Sequence, residues 1–272
     1  MLSINTSPSY AVITGGGTGI GHSLATWLAE NGHKVFIIGR HIKPLKCTRK
    51  LFSNQIEIIQ ADISNPTGRL KIFNMMRKNA KISCLVHNAA IIESSELKNI
   101  TLKSWQSQIS TNVEGPLFLT QLLLPFLKNG GRVLHISSKL AHEPCHGIGA
   151  HCISKAALYM LYNCLKLELK KFDISVGSLR PGAVDTLTQK KVRSFPQATF
   201  PSLPIFKALK KDKKLQDPLN VARFIEWVLF NTTDKKFSET EWNIYDNWHH
   251  KNWLTDAAPI DNIDLEATHK NF

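Results

Sequence analysis

The chain has 272 residues, 43% hydrophobic and 20% charged, with a formal net charge of +13. Such a composition excludes a disordered or fibrous chain and allows a substantial buried core. The first residues lack the basic and apolar regions of a signal peptide and no apolar run is long enough to span a bilayer, so we expect a cytoplasmic protein with no membrane partner.

Residues 10–13, Tyr10-Ala11-Val12-Ile13, form a short apolar run that predicts a buried strand. The run enters Thr14-Gly15-Gly16-Gly17-Thr18-Gly19-Ile20-Gly21, and a helical pattern follows over 22–30 before Asn31-Gly32. Between a strand and a helix this glycine spacing has a physical reading. Gly15 permits the sharp turn, Gly19 lets backbone approach a pyrophosphate, and Gly21 lets the helix pack closely on the strand. The N–H groups at the helix start then hold phosphates, which predicts a dinucleotide site. A second strand, 34–38, ends at Gly39-Arg40-His41. At about this distance past the glycine loop an acidic residue would bond a ribose 2′-hydroxyl. Arg40 fits a 2′-phosphate instead, so NADP is expected over NAD.

The alternation continues. Strands are expected at 56–60, 82–86, 132–136, 174–179 and 241–245. Helices are expected at 67–78, in two stretches across 104–127, and at 150–171 and 221–230. This order implies an α/β fold: a Rossmann-type, doubly wound parallel sheet with helices on both faces. Polar residues gather at strand C-terminal ends, where such sheets bind ligands. No repeat or linker divides the chain, so one domain is expected over 1–272, with an aromatic tail at 246–272. The excess lysines, at Lys190, Lys191 and around 207–214, accompany no nucleic-acid motif and read as a solvated surface.

Taken in order, these residues resemble the short-chain dehydrogenases/reductases over nearly the whole chain. The stretch from Thr14 and Gly15 through Gly17, Thr18, Gly19, Ile20 and Gly21 is similar to the family's glycine signature. Asp62, followed by Ile63, matches the acidic residue that contacts adenine. His87-Asn88-Ala89-Ala90 resembles the family's Asn-Asn-Ala-Gly, with two changes. Asn112, Ser138 and Lys155 fall on three members of its catalytic tetrad. Pro181-Gly182, with Val184 and Thr186, resembles the segment that holds the nicotinamide amide. The resemblance implies hydride transfer between NADP and a small-molecule carbonyl or alcohol substrate, a substrate lid over 187–217, and a homo-oligomer, dimer or tetramer.

The departure is at the centre. The family places a tyrosine one helical turn before the lysine, and here that position is His151. Tyr159 lies on the other side of Lys155 and reads as a packing residue. In the family the tyrosine protonates the carbonyl oxygen, the lysine cation favours its phenolate, the serine bonds the substrate oxygen and the asparagine holds a relay water. A free histidine, with a pKa of about 6.5, suits acid–base work. Lys155 disfavours the imidazolium, yet a neutral imidazole can still donate a hydrogen bond. Three readings stay open: an oxidoreductase with His151 as donor, a catalytically impaired NADP-binding or regulatory protein, and another reaction on the same scaffold. His135, His142, His146 and Cys145 lack ligand spacing, so no metal is expected. The five cysteines read as reduced thiols.

Overall fold

The structure, a computed structural model, describes residues 9–76 and 81–254. Seven strands form one sheet: β1 (Ser9–Thr14), β2 (Lys34–Gly39), β3 (Ile56–Gln60), β4 (Lys81–His87), β5 (Gly131–Ile136), β6 (Ile174–Arg180) and β7 (Glu241–Asn243). Their spatial order is β3-β2-β1-β4-β5-β6-β7, and every pairing is parallel. The order reverses between β1 and β4, which opens a crevice at the strand C-terminal ends. Central strands are apolar on both sides, as burial on two faces demands: Val12, Ile13, Ile37, Ile38, Leu85, Val86, Val133 and Leu134 are all fully buried.

Helices cover both faces. On one side, α1 (Gly19–Glu30) and α9 (Pro218–Phe230) pack together through Leu24, Leu28, Ile225 and Val228. Asp217 caps α9 by accepting from Leu219 N–H at 2.8 Å, and Pro218 stands in its first turn. On the other side, α3 (Pro66–Met76), α5 (Gly115–Leu127) and α6 (Gly149–Glu168) bury Ile72, Leu119, Leu123, Tyr162 and Leu165. The expected helical region 104–127 is two helices, α4 (Leu102–Ile109) and α5, joined by a π-helical turn, Ser110–Glu114. That turn widens the backbone and carries Asn112 inward; such turns recur at functional sites.

Four helices lie where no element was expected. α2 (Ile42–Leu51) buries only Leu45 and Thr48 and spreads Lys43, Lys46, Arg49 and Lys50 over its length, so its periodicity is faint. α7 (Leu187–Val192) and α8 (Leu203–Lys211) lie in the proline-rich segment, where Pro204 occupies the tolerated first turn of α8. A short α10 (Asp234–Glu239) precedes β7. The last expected strand is shorter than 241–245. The predicted helix 67–78 has its final two residues outside the described ones, as is the tail beyond residue 254. The described part of the tail turns back on α9, where His249 stacks on Phe224 at 4.7 Å.

Candidate active site

The crevice at the β1/β4 switch encloses ≈ 590 Å³. Its first wall is the loop after β1. Gly15 has φ +71°, a conformation that L side chains rarely adopt, and a Cβ there would meet Asn88 Nδ2 at 2.9 Å. Gly17, Thr18, Gly19 and Ile20 line the same wall. The N-terminus of α1 has no side-chain cap, whereas Thr101, Thr186, Asp217 and Thr233 cap α4, α7, α9 and α10. α2, α5, α6 and α8 are uncapped too, but the start of α1 is the one whose residues, Thr18, Gly19 and Ile20, line the glycine wall of the crevice.

Two residues expected to touch the cofactor build the wall instead of lining it. Thr14 is fully buried, and its Oγ1 accepts from Asn88 N–H at 3.0 Å and Ala89 N–H at 3.1 Å. Gly21 is a packing position, since a Cβ would come 2.3 Å from Gly15 O. Arg40, Asp62 and Ile63 line the next stretch, at the ends of β2 and β3. The Arg40 side chain is exposed and pairs with no carboxylate among the described residues.

The reacting end is assembled from four segments. Asn112, 1% exposed, stands behind the wall and grips the backbone of Ile91 twice. Its Nδ2 donates to Ile91 O at 2.9 Å, and its Oδ1 accepts from Ile91 N–H at 2.8 Å. Nδ2 also donates to Ser154 Oγ at 2.9 Å, which in turn donates to His151 O at 2.7 Å. Held in this way, Ile91 O accepts from His151 Nδ1 at 3.1 Å. A carbonyl can only accept, so the proton of the neutral imidazole sits on Nδ1 and Nε2 carries a lone pair. His151 lines the crevice.

Burial, and then the Lys155 charge, push the His151 pKa down to about 3, against the Ile91 hydrogen bond. Lys155 lies one turn on, 6% exposed, and donates to Ile136 O at 2.8 Å; burial pushes it down to about 8. Ser138 Oγ accepts from Leu140 N–H at 3.2 Å, which leaves its own O–H to donate. The site therefore offers one hydroxyl donor at Ser138 and one imidazole acceptor at His151.

Comparison with known proteins decides the family. The model of the short chain dehydrogenases matches residues 9–197, more than half of the chain. The protein belongs to the short-chain dehydrogenase family. An uncharacterized oxidoreductase of Staphylococcus aureus strain MW2 is 27% identical over 223 residues, 80% of this chain and 90% of that protein. A relative from Staphylococcus saprophyticus, also an uncharacterized oxidoreductase, is 30% identical over 183 residues, 65% of this chain and 78% of its own. Among solved structures, a short chain dehydrogenase/reductase from Saccharomyces cerevisiae superposes with a TM-score of 0.82 at 23% identity, covering 91% of this chain and all of that one. A short-chain dehydrogenase from Streptomyces avermitilis gives 0.71 at 22%, covering 82% and 84%.

Membership implies a nicotinamide dinucleotide, and the crevice of this short-chain dehydrogenase fits one: a glycine-rich wall, an uncapped helix start and a length that runs from Asp62 to His151. Asn88, Ala89, Pro181, Gly182, Val184 and Thr186 complete its lining. Tyr159 lies away from the crevice, against His142 at 4.6 Å, as a packing residue. Sequence reasoning missed three members. Ser137 and Gln189 line the crevice, and Ser137 Oγ and Gln189 Oε1 are buried without a partner. Glu241, its side chain 8% exposed, ties the site's far side together: it meets His142 Nε2 at 2.6 Å, Ser178 Oγ at 2.9 Å and Arg180 Nε at 3.4 Å. Ser137 is masked in the sequence by its neighbour Ser138, Gln189 by an unpredicted helix, and Glu241 by acting through tertiary contacts alone. No group of three or more His, Cys, Asp or Glu among the described residues could hold a metal.

Proposed function

We propose that this chain is an NADP-dependent oxidoreductase whose reacting end is set for a secondary alcohol rather than a carbonyl. The observation that carries the reading is the His151 Nδ1–H bond to Ile91 O. Reduction of a carbonyl needs a proton donor, and the Nε2 lone pair provides none. An alcohol fits both groups: its oxygen accepts from the Ser138 hydroxyl, and its own O–H donates to His151 Nε2. A bound nicotinamide would supply the acceptor for hydride leaving the alcohol carbon. His151 takes the hydroxyl proton, at a rate held down by its depressed basicity. Arg40 and the free N–H groups of α1 hold the phosphates, and Asp62 faces the adenine end. Lys155, cationic below about pH 8, lines the same crevice one helical turn from His151.

Oxidation of a panel of secondary alcohols with NADP, set against reduction of the matching ketones with NADPH, tests this. Oxidation should lead at matched driving force. Cofactor binding without turnover in either direction would favour a non-catalytic or regulatory NADP-binding protein, a reading supported by the weak basicity of His151.

The same proposal covers assembly. Ile153, Met160 and Leu167 repeat at heptad spacing on α6 and are 42%, 60% and 76% exposed, with Phe118 of α5 39% exposed. An apolar stripe of this kind fits pairing of two copies through α5 and α6. Light scattering at micromolar concentration should give at least a dimer. We further propose that residues 187–217 act as the lid of a single domain, in an intracellular setting consistent with reduced cysteines.

A further inference from the structure

α7 and α8 bring different side chains to different parts of the crevice. The start of α7 lies against the glycine wall, where a Cβ on Gly19 would meet Thr186 Cγ2 at 3.0 Å. Thr186, Thr188 and Gln189 line the crevice from that stretch. Further along, the lining side chains are Val192 of α7 and Phe206 and Leu209 of α8. Val192 shares one apolar cluster with Ile92, and Leu140 and Phe206 pack against it. These contacts place the later part of the segment beside the reacting end, since Leu140 N–H bonds Ser138 Oγ and the neighbour of Ile92, Ile91, accepts from His151.

Ile92, Val192 and Leu209 are buried, whereas Ile91, Leu140 and Phe206 line the crevice and stay half-buried. Apolar surface left half-covered around one cleft favours a ligand that is itself apolar, by about fourfold in binding for each methylene buried. The charged side chains of the crevice offer no free counter-ion at that end. Arg40 and Asp62 stand at the ends of β2 and β3, on the far side of β1 from β5, the strand that leads to Ser138. Lys139 pairs with Glu143 at 3.1 Å and Arg180 with Glu241 at 3.4 Å. Lys155 is buried and donates to Ile136 O. A carboxylate or phosphate among these apolar walls would lose water without gaining a partner.

We propose that the substrate is a neutral, apolar secondary alcohol, with a hydrocarbon body between Phe206 and Leu209 on one side and Ile91 and Leu140 on the other. Its hydroxyl, the one polar group, meets Ser138 and His151. This rests on the crevice being the substrate site of the oxidoreductase proposed above. The body displaces water from the half-buried faces of Ile91, Leu140 and Phe206 and so excludes solvent from the reacting pair.

Calorimetric titration tests the proposal without turnover. The probes are secondary butanol, hexanol and octanol, and the octanol chain with a carboxylate at its far end. Each is titrated into the protein saturated with NADPH, which cannot oxidise an alcohol, and into the protein alone. Binding should tighten about tenfold with each pair of added methylenes, and the carboxylate probe should bind about tenfold more weakly than octanol. Phe206→Ser and Leu140→Ser should each reduce the gain per pair to about threefold, with NADPH titration as the check that the variant is folded. A reduced gain in one variant alone assigns the body to that side within the same proposal. A series that stays level in the wild type, no binding of any probe, a carboxylate that binds as tightly as octanol, or a gain that survives both substitutions overturns it. The wild-type series decides even where a variant does not fold. Failure of NADPH to bind instead overturns the NADP reading, and the titrations on the protein alone still decide the substrate class.

Discussion

Two buried histidines, one in the C-terminal aromatic turn and one in the first turn of α6, show how the same side chain can be wholly engaged by the protein or left with one nitrogen free. His249 is fully buried, and both of its nitrogens are engaged. Nδ1 accepts from Trp253 Nε1 at 2.9 Å, so Nε2 carries the proton and donates to Asn243 O at 3.0 Å. His151 is nearly as buried, at 7% exposure, but has one partner, Ile91 O. Its other nitrogen looks into the crevice. Both rings are neutral and both tautomers are fixed by protein acceptors. The difference is a single unclaimed lone pair, and that lone pair is what a substrate hydroxyl can use.

Truncating each ring separates the two roles. His249→Ala removes two hydrogen bonds and the ring stacked on Phe224, and should cost about 3 kcal/mol of stability while leaving cofactor titration unchanged. His151→Ala should cost only about 1 kcal/mol, because Asn112 still satisfies Ile91 O, yet abolish turnover. Chemical denaturation alongside calorimetry reads both. A larger stability loss at His151 would mean that its ring is a structural member after all.

Acid treats the two alike, which sharpens what they share. Burial holds His135 and His151 down at about 3 and His249 at about 4, and it lowers His87 well below its ordinary value. Each folded pKa lies below the unfolded value, so the unfolded chain takes up the proton first. Stability is complete above about pH 6.5 and falls as pH drops toward 3–4. At pH 5 the loss is about 2 kcal/mol for each of His135, His151 and His249. Thermal melts at pH 7 and 5 should show the drop, and His249→Phe, if it folds, should reduce it. A midpoint that stays level between these pH values would show that the rings are not held neutral.

The smallest expected effect is at the opposite end of the crevice. Arg40→Ala should weaken NADP binding about tenfold and leave NAD binding unchanged, as expected for loss of one charge-assisted contact to a 2′-phosphate. Equal losses for both cofactors would place Arg40 elsewhere in the site.

The two ends of the crevice also differ in how far they could be read from sequence. The seven-stranded parallel sheet and the glycine turn follow from local pattern: apolar runs buried on two faces, and glycines placed where a side chain would collide. Arg40 stood out by its distance past the glycine loop, whereas Asp62, Ser138, His151 and Lys155 stood out only through the resemblance to the family's ordered motifs. The tautomer of His151 was not, because its partner Ile91 lies sixty residues away and is itself held by Asn112 from a π-turn. α2, α7, α8 and α10 escaped because few of their residues are buried and prolines interrupt the stretch 196–204. Gln189 lies on one of these unpredicted helices, and Glu241 acts only through tertiary contacts, which a linear pattern does not carry.

The central claim is that His151 presents an acceptor, not a donor, to the crevice. Single-turnover kinetics of the wild-type protein and His151→Tyr, in both directions and across pH, test it most directly. Tyrosine supplies the missing hydroxyl, so the variant should reduce carbonyls about a hundredfold faster, the lower range for a positioned general acid. Wild-type alcohol oxidation should rise as pH passes through about 8, where Lys155 loses the charge that suppresses the imidazole. A wild type that reduces carbonyls faster than the tyrosine variant, with a rate that falls as pH rises, would make His151 the proton donor and contradict this account.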